Sequence, residues 1–244
     1  MFSNLFGKRK PPAHKVAFAP VRADSLFCVI GDIHGRIDLL TSLVDALPPK
    51  SDIISVGDMI DRGDHSKDVL DYVMRHDRIT PIMGNHEQLL LNFLKSPETQ
   101  GRRWLRNGGL QTLASFGVSG VTESSGTDAL MRARDHLFDA MGDQMVNWLA
   151  NLECIAWSGN IAVVHAGADP NTPLEEHAPD IFIWGHPEFR RTPRSDGFWV
   201  VHGHTIVDQP KMQDGRLPID TGAYATGKLN AAVLSPDRVQ FIST

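Results

Sequence analysis

The sequence predicts an α/β fold of four layers, α/β/β/α, in which two mixed sheets face each other, helices cover their outer sides and one helical segment is inserted. Three observations lead there. Between Phe27 and Leu94, short apolar runs that stop at a glycine alternate with segments of helical spacing. Residues 101–152 then contain no strand-like run. From Glu153 onward the periodicity returns to two, as half-buried strands require.

Phe27 to Ile30, Ile53 to Val56 and Ile79 to Met83 read as buried parallel strands, each ending at a glycine (Gly31, Gly57, Gly84) free to take a sharp turn. Ile37, Leu39, Leu40, Leu43, Val44 and Leu47 recur at helical spacing until Pro48-Pro49 stops them. Ser66 is placed to cap a second helix bearing Val69, Leu70 and Val73. A third helix begins near His86, where Glu87 in the first turn suits the helix dipole. In the insertion, helices are expected over Leu110 to Phe116, Ala129 to Met141 and Met145 to Leu152, covering one side of the strand ends, with Trp104, Phe138 and Trp148 as packing. Ile155 to Trp157 and Ile161 to Val164 form a hairpin about Ser158-Gly159-Asn160. Phe198 to Val201, Leu217 to Ile219, Leu229 to Leu234 and Val239 to Ile242 follow, giving a second, mainly antiparallel sheet.

At 244 residues without a Pro/Gly/Ser-rich linker or repeat, the chain is expected to form one domain over 21–244 behind a flexible tail of residues 1–20. Lys8-Arg9-Lys10-Pro11-Pro12 is followed by no apolar core of a secretory signal, and no run approaches the ~18 apolar residues of a membrane span. The net charge of −5 argues against a nucleic-acid partner. Cys28 and Cys154 lie in or beside apolar runs and read as reduced core thiols, which suits the cytoplasm.

Five apolar runs end in Asp, His or Asn beside a glycine: Gly31-Asp32-Ile33-His34-Gly35, Gly57-Asp58-Met59-Ile60-Asp61-Arg62-Gly63, Gly84-Asn85-His86-Glu87, His165-Ala166-Gly167 and His202-Gly203-His204. One histidine after a strand carries no weight, but five such ends exceed what core packing produces. Ligands of α/β sheets gather at the carboxyl ends of strands. The set offers Asp32, His34, Asp58, Asn85, His165 and one or both of His202 and His204. That mixture suits manganese, iron or zinc, and exceeds one tetrahedral sphere, so two ions sharing a carboxylate is the economical reading.

The motif order resembles the metal-dependent serine/threonine phosphoprotein phosphatases, within the calcineurin-like metallophosphoesterases, especially their short bacterial and phage members. The motifs span residues 31 to 204, and Asp220-Thr221-Gly222-Ala223 extends the match. The resemblance implies a metallophosphoesterase-type sandwich with two divalent ions, manganese first and iron or zinc as alternatives. It places Asp32, His34 and Asp58 on one ion, with Asp58 bridging to a second that Asn85, His165 and His204 also hold. His86 becomes the general acid paired with Asp61, and Arg62 a phosphate-gripping residue beside Asn85. One departure stands out: the family's Trp-x-Arg is Trp184-Gly185-His186 here, and imidazole cannot make the bidentate contact of a guanidinium. His186 then stands with Arg62 and Asn85 as substrate-binding; either Arg190, Arg191 or Arg194 replaces the missing guanidinium or phosphate affinity is weaker, while His177 reads as a surface-loop residue and His202 as structural.

These roles fit the chemistry of a very slow uncatalysed hydrolysis. Water on a divalent ion ionises near neutral pH, and an imidazole beside a carboxylate can protonate the leaving oxygen. The expected function is hydrolysis of phosphoserine or phosphothreonine (with phosphotyrosine as an extension) in proteins or peptides by direct attack of a metal-bound hydroxide. The main alternative is symmetrical hydrolysis of a dinucleoside polyphosphate. An inactive metal- or partner-binding relative is a third, disfavoured because every ligand position is filled. The oligomeric state is not legible.

Overall fold

A computed structural model describes residues 18–244. The expected tail at 1–20 therefore lies outside the described residues up to 17. Phe18 to Pro20 are packed on the domain: the Phe18 ring meets Trp199 edge-on at 5.0 Å, and the carbonyl of Ala19 accepts the Trp199 indole N–H at 2.7 Å.

In chain order the strands are β1 (Phe27–Ile30), β2 (Asp52–Ser55), β3 (Ile79–Pro81), β4 (Ile155–Ser158), β5 (Ile161–Val164), β6 (Trp199–His202), β7 (Arg216–Pro218), β8 (Asn230–Leu234) and β9 (Val239–Ser243). The helices are α1 (Ile37–Ala46), α2 (Ser66–Arg75), α3 (Asn85–Lys95), α4 (Pro97–Trp104), α5 (Leu110–Ser115), α6 (Thr127–Ala150), α7 (Pro179–Trp184) and α8 (Ala223–Thr226). One sheet has the order β3-β2-β1-β8-β9 and the other β4-β5-β6-β7. Both are mixed: β1, β2 and β3 run parallel while β8 is antiparallel to β1, and β5, β6 and β7 run parallel while β4 is antiparallel to β5.

The strand count and positions follow the apolar runs, but their allocation differs from expectation. β8 and β9 complete the first sheet, and the second sheet is mainly parallel, because periodicity reveals a strand and not its neighbour. Period-two alternation divides the core into layers. Cys28 and Ile30 of β1 face helices α1, α2 and α6, whereas Phe27 and Val29 face Val163 and Val201 of the opposite sheet. On the far side, Ala162, Val164 and Val200 pack under Phe182 of α7. Helix, sheet, sheet and helix make the four expected layers.

The insertion also differs in detail. Helix α4, with only Pro97, Gly101 and Trp104 buried, was too polar to be legible. The two expected helices at 129–152 are one element, α6, interrupted at Gly142, whose φ of 72° breaks the helical path. Ser66 is the first residue of α2 rather than its cap; its hydroxyl instead accepts the Asp61 amide at 3.0 Å. Among the described residues no helix is long and apolar enough to cross a membrane.

Candidate metal centre

The carboxyl ends of β1, β2, β3, β5 and β6 converge, and each supplies site residues: Asp32 and His34, Asp58 to Arg62, Asn85 and His86, His165, and His204 respectively. The backbone there is strained. Among the described residues six non-glycines have positive φ, and five of them are His34, Asp58, Asp61, Arg62 and His204. Such conformations cost roughly 1–3 kcal/mol each and persist where the surroundings enforce them. Of the three glycines read as turn formers, only Gly57 takes a left-handed φ, at 91°. Gly31 and Gly84 are needed for space, since a Cβ would stand 2.6 Å from the Ile219 carbonyl and 2.3 Å from the Asp58 amide.

Two trios of ligand atoms converge around one carboxylate. His34, Asp58 and His86 form the first; Asp58, His165 and His204 form the second. The shared member is Asp58, as a bridging carboxylate requires. His34 Nδ1 donates to the Ile60 carbonyl and His165 Nδ1 to the Val56 carbonyl, both at 2.8 Å, so each ring carries its hydrogen on Nδ1 and turns the Nε2 lone pair into the site. Asn85 Oδ1 lies 2.8 Å from His165 Nε2 and 2.7 Å from His204 Nδ1. An amide oxygen facing the Nε2 lone pair of His165 at that distance fits a cation better than a hydrogen bond. Asp32 is in neither trio; its carboxylate accepts the His204 amide at 3.0 and 3.2 Å. His202 stays outside too: Nδ1 donates to the Gly203 carbonyl and the ring lies edge-on to Phe189.

The electrostatics of the protein groups alone also call for cations. Burial, then Asp220, then Asp58 push the Asp32 carboxyl well above the usual range. Burial opposes ionisation of Asp58 as well, but the surrounding imidazoles of His165, His86 and His34 bring its carboxyl below the usual range. Burial pushes His34 down to about 3 and His204 to about 4, leaving neutral rings fit to ligate. His86 goes the other way: burial lowers it, but Asp58 and the hydrogen bond to Asp61 raise it on balance.

Asp61 and His86 form a separate pair at 2.7 Å, Nδ1 donating to Oδ2. Trp104 Nε1 at 3.0 Å and the Thr112 hydroxyl at 2.6 Å also donate to the Asp61 carboxylate, fixing it with three donors. His86 Nε2 is buried without a partner among the described residues and lies 3.8 Å from Asp58 Oδ2. Trp104 is thus more than packing.

Glu87 proves more specific than a dipole complement. Fully buried, it accepts the amides of Asp58, Met59 and Gly84 at 2.8–3.0 Å and so ties α3 to the Asp58 loop. Burial raises its carboxyl to about 7.

Arg62 Nη1 donates to His34 Nε2 at 3.2 Å, and its guanidinium lies 4.8 Å from the centre of the Tyr224 ring. His186 sits elsewhere, half-buried, with Nδ1 accepting the Glu188 amide and standing 3.9 Å from Asp169. Arg194 does not replace it. That side chain is buried and bound to Asp196 and to the carbonyls of Asp169 and Thr172. Arg191 pairs with Glu188 at 3.5 Å. Arg190 does not replace it either: it is exposed and lines a cavity with Lys211 and Arg216 that includes none of the ligand residues. Arg103 of α4 lies over the Trp184 ring, 4.8 Å from its centre. His177 braces its own loop, accepting the Asp169 amide at 2.8 Å.

The sequence model of the calcineurin-like phosphoesterase family matches residues 25–187. Serine/threonine-protein phosphatase 2 of Escherichia coli is 28% identical over 215 residues, covering 83% of this chain and 89% of that protein. An asymmetrical bis(5'-nucleosyl)-tetraphosphatase of Bacillus velezensis is 27% identical over 231 residues, covering 82% of this chain and 86% of that protein. A solved structure provisionally named a diadenosine tetraphosphatase superposes with a TM-score of 0.63 at 20% identity, covering 93% of this chain and 98% of that one.

Proposed function

We propose, from the premise that this chain belongs to the calcineurin-like phosphoesterase family, that it is a two-ion phosphomonoesterase acting on phosphoserine and phosphothreonine in proteins. The observation that carries the reading is the Asp61–His86 pair: His86 Nε2 has no hydrogen-bond partner among the described residues and lies 3.8 Å from Asp58, the residue common to both trios.

Asp32, His34 and Asp58 would hold one ion, and Asp58, Asn85, His165 and His204 the other, with manganese the first choice and iron or zinc the alternatives. The donor set fits: neutral imidazoles with bare nitrogens, an amide oxygen and ionisable carboxylates. When bound, such ions supply positive charge to phosphoryl oxygens and a nucleophilic water at neutral pH. The chain's own residues do the rest. Arg62, stacked on Tyr224, would turn its guanidinium from His34 Nε2 to the phosphate when an ion takes that nitrogen. Asp61 holds His86 in the tautomer with hydrogen on Nδ1 and favours its protonated form. His86 Nε2–H then donates its proton to the departing oxygen, a contribution of roughly 10² to 10⁴ in rate. Trp104 and Thr112 keep Asp61 from turning away. The free thiols of Cys28 and Cys154 support a cytoplasmic setting.

The alternative is a dinucleoside polyphosphate hydrolase, supported by relatives named for that activity. The deciding measurement is kcat/KM with manganese on phosphopeptides and on diadenosine tetraphosphate. We expect the peptides to be the better substrates. A tenfold or greater advantage for diadenosine tetraphosphate would give the assignment to the alternative.

A further inference from the structure

A cavity of about 310 Å³ has in its wall Thr205, the residue after the candidate ligand His204. Three cations line it, Arg190, Lys211 and Arg216, and no Asp or Glu does. This is unusual on a chain of net charge −5. Arg216 is held in place by the carbonyls of Phe189 and Thr192 at 2.9 and 3.1 Å, with Asp214 3.9 Å away. The neighbouring guanidiniums of Arg191 and Arg194 are taken by Glu188 and Asp196. Among the described residues Arg190 and Lys211 form no ion pair, so both charges remain available to a ligand.

We propose that this cavity binds an acidic side chain close to the phosphorylated residue, so that the preferred substrates are acidic phosphopeptides. The assignment rests on the phosphoprotein reading above and deepens it. Thr205 follows His204 directly, and consecutive Cα atoms stand about 3.8 Å apart, so the backbone of the ligand set runs on into the wall. An extended peptide advances about 3.3–3.6 Å per residue, which puts residues one to three beyond the phosphorylated one within reach. A carboxylate there gains charge-assisted contacts to a guanidinium and an ammonium. A nucleobase would want an aromatic face to stack on, and the wall contains no Phe, Tyr or Trp.

The test compares phosphothreonine peptides that differ only in Glu or Gln at the three positions on either side, using the wild-type protein and the Arg190→Glu/Lys211→Glu double variant. Both side chains are exposed and outside the catalytic set, so p-nitrophenyl phosphate hydrolysis and melting temperature should stay unchanged. The wild type should prefer the Glu peptide by about tenfold, mainly through KM, which is what two or three half-exposed charge pairs supply. The double variant should lose or reverse that preference. Equal rates on Glu and Gln peptides in the wild type, or a preference kept in the variant, would overturn the proposal. A defect of the variant confined to diadenosine tetraphosphate would also overturn it, by giving the cavity to nucleotide phosphates. If p-nitrophenyl phosphate is hydrolysed but no phosphopeptide is, the phosphoprotein reading fails first and takes this one with it.

Discussion

Asp61 shows how much of the chemistry hangs on single hydrogen bonds. Its carboxylate takes three donors, from His86, Trp104 and Thr112, and only the first transmits to substrate. His86→Gln should lower kcat by about 10² to 10⁴ with metal content near normal, and by less on aryl phosphates, whose leaving groups need little acid help. Equal losses on aryl and alkyl phosphates would remove His86 from the role of acid. Trp104→Phe keeps an aromatic ring near Phe93 but removes the N–H together with part of the buried indole, so some stability is lost along with the hydrogen bond. A hydrogen bond to a charged group is worth about 1.5–3 kcal/mol, so kcat should drop roughly ten- to hundredfold with KM little changed. An unaltered kcat would show that Thr112 alone orients the carboxylate. His86 and Asp61 were legible because they sit inside glycine-marked strand ends. Trp104 and Thr112 were not: they lie 43 and 51 residues beyond Asp61, and nothing local to either marks a polar task.

The helical insertion acts on the site as an element, through its backbone. Between α4 and α5 the chain passes Gly108, whose φ of 102° and whose carbonyl, accepting the Arg62 amide at 3.3 Å, hold Arg62 in its left-handed conformation. A Cβ at Gly108 would stand 2.5 Å from the Arg62 nitrogen. Gly108→Ala should therefore cost roughly 1–3 kcal/mol in stability and raise KM for every phosphate ester, since Arg62 must shift. Unchanged KM with lowered stability would separate the insertion from phosphate binding. The apolar runs disclosed every strand among the described residues, but β8 and β9 went to the wrong sheet because alternation reports burial on one face and is silent about the partner strand. Glu87 was legible as a first-turn acid; its bonds to the amides of Asp58 and Met59 depend on how β2 and β3 pair, which no single segment encodes.

At the scale of the molecule, buried like charge opposes the fold. Asp32, Asp58 and Asp220 are all nearly inaccessible, and burial and mutual repulsion raise both Asp32 and Asp220. Ions that bind only the folded chain stabilise it by mass action, about 2.7 kcal/mol at a hundred times Kd. For a chain of this size that is roughly 5–11 °C. Manganese added to chelator-stripped protein should raise the melting temperature by about that much and titrate to two ions per chain. Asp58→Asn should abolish most of the rise, because both trios share that carboxylate. A rise preserved in the variant would place the ions elsewhere. The strand order carries a consequence for biosynthesis. β1, which bears Asp32 and His34 at its end, lies between β2 and β8, and β8 pairs in turn with β9, which ends at Ser243. A nascent chain therefore emerges with one edge of its central strand open until Asn230–Leu234 has left the ribosome. Chains stopped before Asn230 should expose the edge of β1 and enter aggregates or be degraded, even though every ligand of the metal centre has already been made.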